Sequence, residues 1–480
     1  MMVSRRWCIS GWLLVVDDAV SAIFHKVLLI SLLCGLAGCS VQPESGARVT
    51  ADKYRRPPGV VPLDSLNRFG IPSDGRCAGL PRAAVATHDP SIECIGILDT
   101  DLSFPRGVAG WNGDILVVDK GSHLHEAELG RSAGKLYRYV ATESGFQRRL
   151  LIGGLDNPSS ISVGRHPADS HLVYVSTGNS IVRFAPDAED VAASLESVVT
   201  DLPLSGWHYL SAAYATNSFI YVTVPSATDH CEAITSDQVG IGAQFPCPEV
   251  DTELGSDRSL EHVTASVRRY AIDDDGQVSK SFSVVARGLR DALALVQVPG
   301  SSKLLAADNG WDDIDLERSG LTAADVPHDE INLIEISDRS VSELDAHFGW
   351  PYCYDDGVVT PGYEEFSLDC QRYRKPQLLL PAHSAPLAML VHNNQLLVNL
   401  HGFEVGGRRT LAFRLAEDGL PAGAGEVFID WNFTNQFGYL WGRPFGIAQL
   451  GPSTLVVTDD WNHALLVVQK AQPKNDKLSR

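Results

Sequence analysis

The apolar positions of this chain fall in short runs separated by turns, not in the i, i+3, i+4 spacing of a helix. Six runs carry the strongest signal: Asp114–Asp119, Leu172–Val175, Phe219–Val224, Lys303–Ala307, Gln395–Asn399 and Thr454–Thr458. Apolar, β-branched runs of about 4–8 residues bounded by turns read as buried strands. Each is preceded by a strand of small or apolar residues and followed by a third strand: Lys135–Val140, Ile181–Phe184, Val267–Ala271, Ile331–Ile336, Thr410–Arg414 and Ala464–Val468. Six copies at unequal spacings of roughly 45 to 95 residues are what one repeated unit gives when loops are inserted on one face. The pattern predicts an all-β fold, a six-bladed β-propeller over residues 63–475. A parallel β-helix would repeat on a shorter, more uniform period. Helix-like composition is confined to segments such as Glu189–Leu195 and Ser319–Asp325.

The longest insertions lie between Val224 and His262, between Asp308 and Glu330, and between Phe348 and Ser384. Long loops inside a compact fold are more often functional than structural, and in a propeller the loops at one mouth of the channel build the site. The stretch Ala286–Tyr354 is therefore central, because the loop between two of its strands is crowded with Asp, Asn, Gly, Trp and His. Its run from Asp308 to Asp315 lacks the alternating acids and sixth-position glycine of an EF-hand. It does offer hard oxygen ligands and a glycine that lets carbonyls face a cation, so calcium is one reading.

Composition narrows the class. With 480 residues, 44% hydrophobic and 20% charged, the chain has material for a large core. A formal net charge of −20 argues against nucleic acid, whose phosphates call for clustered Lys and Arg.

The N-terminus points to export. Val27–Cys39 is an apolar segment too short to span a bilayer, preceded by Lys26 and ending in Leu36-Ala37-Gly38-Cys39. That ending resembles a bacterial lipobox, which implies a lipoprotein signal peptide over residues 1–39, lipidation at Cys39 and a flexible tether over 40–62. The expected location is the bacterial envelope, facing the periplasm from the outer membrane, with the lipid as the sole membrane attachment. An ordinary secretory signal is the alternative, and both export the protein. Asp17 and Asp18 interrupt the prefix, so a natural start near Val20 is a further expectation. The six cysteines outside this segment come as neighbours: Cys77 with Cys94, Cys231 with Cys247, Cys353 with Cys370. Local pairing is the simplest of the 15 connectivities. Each closed loop of this size stabilises the fold by about 3 kcal/mol. Zinc fits poorly, since no Cys-x-x-Cys spacing occurs.

Polar residues recur at the starts of the first strands: His208 in the third unit, Arg290 in the fourth, His383 before the fifth and Arg443 in the sixth. A single such residue is usually structural. Equivalent positions in a radial fold face one channel, so two histidines and two arginines would converge there and suit an anionic ligand.

Several motifs then resemble one family. Arg287-Gly288-Leu289-Arg290, Ala307-Asp308-Asn309-Gly310, Asp329-Glu330-Ile331-Asn332 and Phe348-Gly349-Trp350-Pro351-Tyr352-Cys353 are similar to the signature series of the PQQ-dependent sugar dehydrogenases. Gly206-Trp207-His208, Asp229-His230-Cys231-Glu232, His383-Ser384-Ala385-Pro386-Leu387, Leu400-His401-Gly402 and Trp441-Gly442-Arg443-Pro444 continue the resemblance, which spans roughly residues 95–470 and is closest to the sorbosone branch. It implies a six-bladed propeller and an oxidoreductase that moves hydride from a sugar hydroxyl to calcium-bound PQQ, then passes electrons to a periplasmic quinone or cytochrome. On that resemblance His208 is the base and Arg290 stabilises charge on the quinone oxygen. Asn309, His383, Asp459, Arg443 and one of Arg408 or Arg409 contact the cofactor, while carbonyls of Gly310 and Trp311 hold calcium. Asp329 and Glu330 bind further calcium or buttress the loop. The chain departs from the family at Asp291, where Asn is common; a carboxylate there would repel the cofactor or pair with Arg290. It departs again at Phe403–Gly407. The rival expectations are a calcium-dependent lactonase and a non-catalytic propeller that binds a saccharide or protein.

Overall fold

The computed structural model describes residues 76–471 apart from 78, 84, 122–132, 144, 166–170, 205, 235–238, 252–261, 313, 315–321, 323–324, 337–345, 405 and 433–441. The signal segment, Cys39 and the tether lie outside the described residues.

The chain folds as a six-bladed β-propeller whose sheets are antiparallel apart from one short parallel pairing, Ala286–Arg287 with Ala346–His347. The inner strands are Pro105–Trp111, Ile161–Arg165, Ala213–Ala215, Ala292–Gln297, Pro386–His392 and Pro444–Gly451. All six middle strands and all six third strands fall where the hydrophobic pattern puts them. The ring closes by a device the pattern did not reveal. Ile92–Asp99, from the start of the chain, is the outermost strand of the last blade and pairs with Ala464–Lys470.

Small residues in the inner strands have a steric cause at the hub. A Cβ on Gly107 would lie 2.7 Å from the Ser159 carbonyl, and one on Gly446 would lie 2.6 Å from the Arg106 carbonyl. Neighbouring backbones therefore approach to a distance that only glycine allows. Between blades the faces are apolar, as in the cluster of Leu305, Leu396, Val398 and Leu411 that joins the fourth and fifth. Glu189–Leu195 forms turns, not an α-helix, with Ser194 N–H donating to Val191 O and Leu195 N–H to Ala192 O.

The three expected disulfides form: Cys77–Cys94, Cys231–Cys247 and Cys353–Cys370. The last two share one cluster with Trp350, Tyr352 and Tyr363, so the long insertions of the third and fourth blades carry a small core of their own. An internal carboxylate closes the same end of three blades. Asp119, Asp308 and Asp459 are each the last residue of a middle strand and each accept main-chain N–H bonds from residues just before the adjoining inner strand.

Candidate active site

At that end, inner strands begin and middle strands stop, so the residues just outside both face the mouth of the channel. Arg290 is fixed first by its backbone: its N–H and that of Asp291 donate to Asp308 at 2.9 and 2.7 Å. Its guanidinium is 3% exposed. Nε donates to Asp229 Oδ1 at 2.7 Å, a terminal nitrogen reaches the same carboxylate, and that nitrogen also donates to Asp312 Oδ2 at 2.9 Å. Burial opposes its charge, but the carboxylates of Asp229, Asp312 and Asp291 outweigh burial and raise its pKa. Asp312 is the open side of the group, with a side chain 69% exposed. Partial desolvation opposes its ionisation, yet Arg290 and then His383 hold it below the usual carboxylate range.

His208 and His383 complete this wall. His208 Nδ1 lies 2.9 Å from the Ser226 carbonyl, which can only accept, so Nδ1 carries a proton and in the neutral ring the lone pair is on Nε2. A ring nitrogen of His208 and carboxylate oxygens of Asp229 and Asp312 lie within 4.8 Å of one another. Three such ligands could hold a metal, but Arg290 already compensates both carboxylates, so the geometry suits proton transfer better than a divalent cation. His383 Nδ1 stands 3.7 Å from Asp312. Burial lowers the pKa of His383, but Asp312 and Asp329 outweigh it and the net shift is upward.

The opposite wall belongs to the fifth, sixth and first blades. Arg443 donates from Nε to the His401 carbonyl at 2.9 Å and from a terminal nitrogen to His401 Nδ1 at 2.7 Å. His401 Nδ1 is thus an acceptor, and its Nε2–H donates to Asp460 at 2.7 Å. Burial, then Arg443, push the His401 pKa down to about 4, so the ring is neutral near pH 7. Asp460 also meets Arg106 at 3.4 Å. Tyr209, next to His208, has its ring 5.3 Å from Lys120 Nζ and acts electrostatically on Arg106, which links the two walls.

The loop after the fourth middle strand lies beside Arg290. Asn309 donates to the carboxylate of Asp291 at 3.0 Å and its carbonyl accepts from Arg290 at 3.3 Å. Asp291 therefore partners Asn309, and the side-chain hydrogen bonds of Arg290 go to Asp229, Asp312 and the Asn309 carbonyl. Trp311 stacks on His230 with ring centres 4.6 Å apart. Trp311 Nε1 and Asn309 Oδ1 are buried with no partner among the described residues. Behind the loop is a cavity of about 40 Å³ whose lining includes Asp308, Asn309, His328 and Glu330. Asp308 and Glu330 are cross-strand partners there. Burial raises both carboxyls, Asp308 to about 8.

The remaining residues singled out from the sequence sit as follows. Asp329 accepts from Gly310 N–H, Ser384 Oγ and Ala385 N–H at 2.8, 2.9 and 2.7 Å, which makes it a brace between the loop and the fifth blade. Asp459 accepts from Arg443 N–H and from Asn462, and so braces its own turn. Arg408 donates to the Phe403 carbonyl, and Arg409 Nε to the Gly407 carbonyl at 3.3 Å. Asp229, Asp312, His401, Asp460 and Arg106 carry geometry that sequence reasoning did not assign. One signal was available: Pro105-Arg106-Gly107-Val108 repeats the frame of Pro444-Phe445-Gly446-Ile447 with a cation in place of the ring.

Comparison with known proteins bears on the same face. Residues 249–440 match the TrAA12-like family model. That segment includes Arg290, the Asn309–Trp311 loop and His383, but not His208, Arg443 or Asp459. It agrees with the resemblance read from the motifs. The fold is similar to that of a Trichoderma reesei protein of carbohydrate-active enzyme family AA12 in its calcium structure, with TM-score 0.62 and 16% identity over 82% of this chain and 98% of that one. It is also similar to the holo PQQ domain of pyranose dehydrogenase from Coprinopsis cinerea, with TM-score 0.59 and 19% identity over 82% of this chain and 99% of that one. At these identities the likeness establishes the propeller fold. No curated protein matches the chain by sequence.

Proposed function

We propose that this chain is a PQQ-dependent sugar dehydrogenase that uses calcium. The observation that carries the reading is the convergence at one propeller mouth of a histidine held through Nδ1 by Ser226 and a buried arginine beside the loop in which Asn309 Oδ1 and Trp311 Nε1 have no partner among the described residues. The residues fit the group: PQQ is a tricarboxylate quinone, and the mouth offers Arg290, Arg443 and Arg106. When bound, the quinone accepts hydride while calcium polarises its reactive carbonyl.

The chain's own residues supply the rest. The Ser226 carbonyl fixes the His208 tautomer, so Nε2 takes the proton of the sugar hydroxyl. Asp229 and Asp312 stabilise the imidazolium that results. Arg290, held charged by the same carboxylates, presents a donor where negative charge develops. Main-chain carbonyls of Gly310 and Trp311 would hold the calcium, with Asp329 fixing Gly310 in place. Export, lipidation at Cys39 and delivery of electrons to a periplasmic quinone or cytochrome belong to the same proposal and are supported by the Leu36–Cys39 ending and the disulfides.

Reconstitution tests the reading. Apo protein given PQQ and calcium should reduce an artificial dye with one or more aldoses. Absence of turnover with every aldose, together with no change in the PQQ spectrum, would remove it.

A further inference from the structure

Arg106 is a buried cation whose surroundings leave it incompletely satisfied. It occupies the second position of the first inner strand. Strand register makes it equivalent to Leu293, Leu387 and Phe445: Pro105, Ala292, Pro386 and Pro444 each pair with the last residue of a middle strand, and these four follow directly. Leu293, Leu387 and Phe445 line the central channel, a cavity of about 340 Å³. Three blades thus place an apolar side chain on the channel, and at the equivalent register position the first blade has a guanidinium packed on the ring of Phe445.

That guanidinium is 8% exposed as a residue and lies between two rings, 4.3 Å from the centre of Phe104 and 4.4 Å from that of Phe445. Its Nε has no hydrogen-bond partner among the described residues. Its carboxylate contact is Asp460, at 3.4 Å, and Asp460 is already committed to His401 at 2.7 Å. A buried arginine normally satisfies its fork with close, paired acceptors. Two aromatic faces hold this one in place without satisfying its in-plane donors. On the same side stand Arg443 and Lys120, both buried.

We propose that Arg106 anchors a carboxylate of the cofactor remote from its quinone carbonyls, so that this carboxylate lies toward the sixth and first blades while the reactive carbonyl faces Arg290 and His208. This rests on the reading of the chain as a PQQ enzyme and deepens it. Asp460 then acts as a positioning residue, holding Arg106 and, through His401, Arg443 on one side of the mouth.

The test is the affinity of the apo protein for PQQ in calcium buffer, measured by quenching of tryptophan fluorescence, with the trimethyl ester of PQQ as a second probe. Arg106→Gln should weaken PQQ binding by roughly 10-fold to 100-fold, the loss expected for a charged hydrogen bond. It should leave binding of the triester unchanged, since the triester has no carboxylate to pair. Arg106→Lys keeps the charge without the fork and should fall between wild type and Arg106→Gln; it also serves if the Gln variant does not fold. Equal PQQ affinity in wild type and a folded Arg106 variant would overturn the anchor and leave the enzyme reading standing. Equal weakening of PQQ and triester would also overturn it, by showing a structural role. Failure of the wild-type protein to bind PQQ would overturn both.

Discussion

On the wall formed by the third and fourth blades, Arg290 meets two carboxylates, Asp229 and Asp312, within hydrogen-bond distance. On the wall formed by the sixth and first, Arg106 has Asp460 at 3.4 Å and shares it with His401. Both arginines are buried at the same mouth. The difference teaches that the first is a finished group, held charged and aimed by its own chain, whereas the second keeps capacity for an anion. A long polyanionic cofactor would be oriented by that contrast: chemistry at the compensated wall, anchorage at the uncompensated one.

The largest effect should come from the compensated wall. His208→Ala is expected to lower kcat by roughly 10²–10⁴, the usual worth of a general base, with PQQ affinity unchanged. Steady-state kinetics beside a PQQ titration checks this, and unaltered kcat would move the base elsewhere. Asp229→Asn removes the charge that Arg290 grips with two nitrogens. A fall in kcat of about 10-fold to 100-fold is expected, in keeping with a lost charged hydrogen bond.

The disulfide beside that wall should matter mainly for stability. Replacing Cys231 and Cys247 by Ser should cost about 3 kcal/mol, read in denaturant unfolding. Because Trp350 Nε1 donates to the Asp229 carbonyl at 3.0 Å within the same disulfide-braced module, kcat should also drop modestly.

A last effect appears only on acidification. His401 is buried and neutral, with its pKa lowered to about 4. A histidine depressed in the folded state favours folding above its unfolded pKa, and that contribution is lost as pH falls from about 6.5 to about 4, on the order of 3 kcal/mol in all. His347, lowered to about 3 by burial and by Arg287, adds to the same acid limb. Unfolding midpoints measured across this window should decline less steeply in His401→Gln, whose amide can both accept from Arg443 and donate to Asp460.

The scaffold was legible because blades repeat. Each middle strand announces itself as a run such as Leu396–Val398, fully buried between neighbouring sheets. The closing strand Ile92–Asp99 was not, since it pairs with Ala464–Lys470 across nearly the whole chain and nothing local marks it. Within the site, His208, Arg290, His383 and Arg443 were readable from their recurrence at strand starts. Their partners were not. Asp229 and Asp312 reach Arg290 from different loops, and a sequence does not say which of its many acids a given arginine meets. Asp329 shows the reverse case: a carboxylate in a metal-like setting whose oxygens the fold fills with three donors from its own chain.

The most direct measurement is a single turnover. Protein loaded with PQQ and calcium, mixed anaerobically with an aldose, should bleach the oxidised-quinone absorbance, with the rate strongly reduced in His208→Ala and the spectrum of the loaded variant unchanged before mixing. Stoichiometric PQQ binding with no bleaching by any sugar would contradict a dehydrogenase at this mouth.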